Sequence, residues 1–149
     1  LIEPIEQMHH SLRRAATRSG LKTLVFGEDV HGVRSMVKQN SVDTVISTLV
    51  LCSVGHQEDV LDIIYTWLKP GGKFLFIEHI AAPRGTWLRY VQKMIDPFHS
   101  ILGGGCHLCR DTMHQIRLVP GWKVKESRHF EIDVGFMKLP CVWGWAQKI

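Results

Sequence analysis

The sequence predicts an α/β fold built on a doubly wound, largely parallel sheet, and three observations carry that prediction. Residues 42–51 are a nearly unbroken apolar run rich in Val, Ile and Thr, and residues 73–77 are a second, shorter one. Between them Val60, Leu61, Ile64, Trp67 and Leu68 recur at helical spacing. Lys69-Pro70-Gly71-Gly72 then closes the helix. Strand, helix, glycine turn and strand make one βαβ unit, and the crossover rule sets its two strands parallel.

The remaining elements follow in chain order. After Pro4, the positions Ile5, Met8, Leu12 and Ala15 or Ala16 predict a helix over residues 5–19, stopped by Gly20. Residues 21–26 are β-rich and predict a short strand that ends at Gly27-Glu28-Asp29, placing two carboxylates at its carboxyl end. Residues 30–40 fit no single template. The run at 42–51 lacks alternation, which predicts a central strand covered on both faces. In the helix that begins at Gln57, Glu58, Asp59 and Asp62 lie near the start, where the dipole favours anions. Beyond Glu78 the pattern predicts a helix over 87–94, a break at Pro97 and a second helix over 111–118. Strands over 122–130 and 142–147 then form an antiparallel pair at the sheet edge. Trp87, Trp143 and Trp145 are expected in the core rather than in a substrate pocket.

Length and charge narrow the function. With 149 residues and 45% hydrophobic content, the chain is expected to form one domain, 1–149. The net charge of +4 is scattered, with no basic block interleaved with aromatics, so no nucleic-acid partner is expected. No apolar run approaches the ~20 residues of a membrane helix. The start, LIEPIEQMHH, lacks signal-peptide layout, so the expectation is a soluble chain that begins mid-structure. Four cysteines are too few and too unevenly placed for a disulfide framework, which predicts an intracellular, reducing compartment.

In doubly wound sheets ligands lie outside the carboxyl ends of strands, so the residues after Ser47 and those around Glu78 are site candidates. Carboxylates at such ends, here Glu3, Glu28, Asp29 and Glu78, can accept hydrogen bonds from ribose hydroxyls or an adenine amino group. Glu78-His79 is the acid/base candidate, because imidazole titrates near neutral pH and a neighbouring carboxylate can orient it. Cys106-His107-Leu108-Cys109 has the CxxC spacing of zinc sites. No second Cys or His pair lies at ribbon or finger distance, although His99 and His114 are near, so no metal is expected. Cys52 reads as core packing, and Gly103 to Gly105 as a flexible turn without a phosphate-cradle pattern.

The segments SVDTVISTLVLCSV, LKPGGKFLFIEHIAAPRGTW and GGGCHLCRDT resemble the thiol methyltransferase branch of the class I S-adenosylmethionine-dependent methyltransferases, and the resemblance runs from Glu3-Pro4 through LVFGEDV to the C-terminal strands. It implies a Rossmann-like sheet of order 3-2-1-4-5-7-6, here without the first strand and most of the second. It implies S-adenosyl-L-methionine as cofactor and a small thiol or lipophilic molecule as methyl acceptor. By the same resemblance Glu3 holds the ribose, Glu28 and Asp29 border the adenine, Thr48 and Leu49 pass the methionine part, and Glu78-His79 lie beside the transferred methyl. The family's glycine-rich loop and its N-terminal membrane-associated segment, which goes with endoplasmic reticulum or lipid droplet, have no counterpart in these residues. Weak or absent cofactor binding by the isolated chain is therefore expected, and a non-catalytic remnant acting as an interaction module is the alternative.

Overall fold

The computed structural model describes residues 1–135 and 137–149, and it resolves into two compact units, residues 1–38 and 39–149.

In the first unit, helix α1 (Glu6–Arg18) forms where the apolar spacing predicts it, and Gly20 leaves it in the left-handed region at φ 67°. The predicted strand at 21–26 is reduced to an isolated parallel bridge between Ile2 and Phe26. The Glu3 N–H donates to the Phe26 carbonyl at 3.1 Å, and the Phe26 N–H to the Leu1 carbonyl at 2.9 Å. Residues 30–36 form successive turns.

The second unit contains a four-stranded sheet of order β1-β2-β4-β3. Strand β1 (Val42–Thr48), helix α2 (Gln57–Trp67) and strand β2 (Leu68–His79) are the predicted βαβ unit, with β1 and β2 parallel. β1 pairs only with β2, so it is an edge strand rather than the expected central one. Only Ser47 of β1 is buried, and Ile46 is 68% exposed. β2 absorbs the predicted glycine turn: Leu68 pairs with Val42 and Lys73 with Thr44, so residues 69–72 bulge from the ladder, with Gly71 at φ 78°. From Lys73 on, burial alternates, with Phe74, Phe76 and Glu78 on the covered face.

Helix α3 (Trp87–Leu102) departs from the expected break, because it runs through Pro97. Thr86 caps its start, its hydroxyl accepting from the Arg89 N–H at 3.3 Å. Its polar side faces inward: Gln92 is fully buried and accepts from the Ala82 N–H at 2.8 Å. Trp87, Tyr90, Met94, Phe98, Ile101 and Leu102 are exposed, so Trp87, expected in the core, lies outside it. Trp143 is also partly exposed, on the sheet face where Arg128 lies over its ring at 5.6 Å.

Helix α4 (Thr112–Leu118) precedes strands β3 (Trp122–Asp133) and β4 (Lys138–Lys148), which form the predicted antiparallel pair. β4 lies between β3 and β2, antiparallel to both. Phe74 of β2 stacks on Trp122 at 5.3 Å, and the Trp122 indole N–H donates to the Ile116 carbonyl of α4 at 2.7 Å. The core between helices and sheet is closed by these contacts together with Leu61, Ile64 and Trp67 of α2.

Candidate active site

At the carboxyl ends of β1 and β2 the chain builds a fixed loop over a buried carboxylate. Glu78 is 0% exposed because it follows Phe74 and Phe76 on the covered face of β2. Its Oε1 accepts from the Ser47 hydroxyl at 2.6 Å and the Val50 N–H at 3.2 Å, and its Oε2 accepts from the Leu51 N–H at 3.1 Å. Burial pushes the Glu78 carboxyl up to about 7, against the pull of these three donors.

The loop itself is pinned from several sides. Leu49 takes the left-handed conformation at φ 54°, rare for a side chain of its shape, with its N–H on the Ile77 carbonyl at 2.8 Å. Arg110 donates to the Leu51 carbonyl at 3.0 Å, to the Val54 carbonyl and to the Gly55 carbonyl at 3.3 Å. The Gln57 amide donates to the Leu51 carbonyl at 2.9 Å and to the Thr112 hydroxyl at 3.0 Å. Thr48 and Leu49 are left exposed at the rim of this loop.

Next to the carboxylate lies a cluster of sulfur and imidazole. The Cys106 thiol donates to Cys52 Sγ at 3.2 Å and lies 3.8 Å from His79 Nδ1. His79 is buried, and its Nε2 has no hydrogen-bond partner. The Cys106 hydrogen bond pushes the Cys52 thiol down to about 4 against the effect of burial, and His79 adds to the fall. The same hydrogen bond, with burial, pushes Cys106 up.

Among the sequence candidates, the structure brings Glu78, His79, Thr48 and Leu49 to one end of the sheet. Glu78 is not the open strand tip that the sequence suggested, since its oxygens are committed to Ser47 and the loop. Glu3, Glu28 and Asp29 belong to the first unit, and Glu3 and Asp29 make local bonds there. Glu3 Oε1 accepts from the Ile5 N–H at 2.9 Å, and Asp29 Oδ1 from the Gly32 N–H at 2.9 Å. Cys52 and Cys106 were missed as a pair. The CxxC spacing directed attention to Cys109, while the partner that Cys106 meets is 54 positions away. Among the described residues all four cysteines are free.

Comparison with known proteins bears on the family and the fold. The chain is 37% identical over 123 residues to the human thiol S-methyltransferase TMT1A, covering 82% of this chain and 48% of that protein. It is 33% identical over 121 residues to the rat thiol S-methyltransferase TMT1B, covering 80% of this chain and 44% of that one. It therefore spans about half the length of these relatives. A crystal structure of a SAM-dependent methyltransferase from Methanosarcina mazei superposes with a TM-score of 0.72 at 15% identity, over 99% of this chain and 80% of the other. The N-methyltransferase NodS from Bradyrhizobium japonicum, in complex with S-adenosyl-L-homocysteine, does so with 0.61 at 12%, over 99% and 64%. These likenesses establish the shared fold, and the order β1-β2-β4-β3 matches the 4-5-7-6 part of the sheet that the resemblance implies. With the family described as "Methyltransferase domain" matching residues 1–76, this chain belongs to the methyltransferase domain family.

Proposed function

We propose that this chain carries the acceptor side of an S-adenosylmethionine-dependent methyltransferase acting on a small thiol. The observation that carries the reading is the fixed loop over Glu78 beside the Cys52–His79–Cys106 cluster, at the strand ends where ligands of doubly wound sheets lie. The named activity of its relatives supports the thiol as acceptor.

Exposed Thr48 and the left-handed Leu49 fit the cofactor, because they offer loop backbone at the rim, already held in place before a ligand arrives. When bound, S-adenosylmethionine supplies a methyl group on a sulfonium sulfur. Glu78 acts as a positioning residue: its carboxylate accepts from the amides of Val50 and Leu51 and so fixes the loop. Removal of the acceptor's thiol proton falls to the cluster, whose half-exposed member is Cys106. The cleft of about 700 Å³ just beyond β2, lined by Ala82, Pro83, Thr86, Met113, His114 and Arg117, is the acceptor's entry.

The test incubates the chain with small alkyl thiols at millimolar S-adenosylmethionine, so that weak cofactor binding does not mask turnover. Methyl thioether and S-adenosylhomocysteine are then read by mass spectrometry. We expect thioether formation that falls at least ~10-fold in His79→Ala. Methylation of amines or alcohols in place of thiols, or no product above buffer, overturns the reading.

A further inference from the structure

We propose that Cys52 Sγ, Cys106 Sγ and His79 Nδ1 form a binding site for a soft divalent cation of the zinc class, with the fourth coordination position left for the acceptor's sulfur. The three ligand atoms all lie within 4.8 Å of one another, on groups that are buried or half-buried. Zinc holds sulfur at about 2.3 Å and nitrogen at about 2.0–2.1 Å, which in a tetrahedron sets ligand atoms about 3.5–3.8 Å apart. The observed 3.2 Å between the two sulfurs and 3.8 Å from Cys106 Sγ to His79 Nδ1 need only a small spreading of the thiols to reach that spacing.

Each ligand is held by its own support. The His107 N–H donates to the Cys52 carbonyl at 2.9 Å, and His79 is paired with Cys141 in the ladder. His99 Nδ1 lies 3.0 Å from the Cys106 carbonyl oxygen. Such preformed ligands lower the ordering cost of binding a metal. Coordination through Nδ1 places the ring proton on Nε2, which is buried and has no partner among the described residues, so the bonds to the cation must also offset that unpaired donor. Two sulfurs and one imidazole select a soft cation over calcium or magnesium, which require oxygen. The adjacent carboxylate of Glu78 supplies no oxygen because Ser47 and the loop amides occupy it.

The role of the open position rests on the thiol methyltransferase reading; the existence of the site does not. On binding, each cysteine thiol gives its proton to solvent and a sulfur lone pair to the cation. An acceptor thiol in the fourth position likewise loses its proton to solvent, so with the cation bound the cluster promotes that loss as a set of ligands and does not itself take the proton. Its sulfur then bonds the methyl carbon as the carbon–sulfonium bond breaks, with that electron pair leaving on the thioether sulfur.

The test uses the full 149-residue chain, reduced and desalted after exposure to zinc or cobalt(II) alone. We expect roughly one zinc per chain by elemental analysis, and with cobalt a thiolate charge-transfer band and the intense visible bands of tetrahedral coordination. Both are lost in Cys106→Ser and kept in Cys109→Ser, with circular dichroism confirming that each variant is folded. No bound metal, a Cys52–Cys106 disulfide in its place, or an unchanged cobalt spectrum in Cys106→Ser overturns the site. Metal binding without methyl transfer would support the site while overturning the thiol reading, and methyl transfer without metal would do the reverse.

Discussion

Glu78 shows how one buried carboxylate can hold a whole loop. Its carboxylate accepts three hydrogen bonds, two of them from the backbone of the loop that follows β1. Glu78→Gln keeps the volume but turns an NH2 group toward the Val50 or the Leu51 N–H, leaving a buried donor facing a donor. The expected cost is about 1–3 kcal/mol in denaturant unfolding, and a loss indistinguishable from zero would show that the loop is held without Glu78. Glu78 and His79 were legible in the sequence because a compact apolar run ending in two polar residues marks a strand tip. Their burial was not legible, since it depends on which face of β2 is covered. Nor was Cys52, whose role is set by a partner brought over it by the 103–110 loop.

At the scale of elements, Lys148 ends β4 and also completes α2. Its ammonium is nearly buried and donates to the Tyr65 carbonyl at 2.7 Å, the Leu68 carbonyl at 2.9 Å and Asn40 Oδ1 at 2.9 Å, with the Tyr65 ring 4.2 Å away. It thereby satisfies carbonyls at the negative end of the helix dipole. Lys148→Met should lower stability by roughly 2–3 kcal/mol in chemical denaturation, and an unchanged midpoint would show that water serves those carbonyls as well. The βαβ unit, α4 and the C-terminal hairpin were legible because periodicity and Pro/Gly punctuation agree there. α3 runs past the expected break at Pro97 because the surrounding turns tolerate the loss of one donor, which the pattern of residues does not reveal. Residues 21–26 have β composition, but a ladder needs a partner of matching length, and composition says nothing about the partner.

For the whole molecule, the exposed stripe of α3 and the outer edge of β1 are surfaces that water covers poorly. The stripe is contiguous along one helix face, which predicts concentration-dependent self-association. Phe98→Lys with Ile101→Lys should shift the association midpoint about tenfold or more to higher concentration in sedimentation analysis, and an unchanged midpoint would place the contact elsewhere. Among the described residues, no helix is long and apolar enough to cross a membrane. The sheet order carries a further consequence, for synthesis rather than for the finished fold. β4 follows β3 in the chain, yet it occupies an interior place in the sheet, joining β2 to β3. A nascent chain that has emerged only as far as β3 holds the β1–β2 pair and a lone β3, which nothing yet joins. Folding of residues 39–149 must therefore wait for β4, and until it arrives the edge of β2 is open to aggregation or to a chaperone.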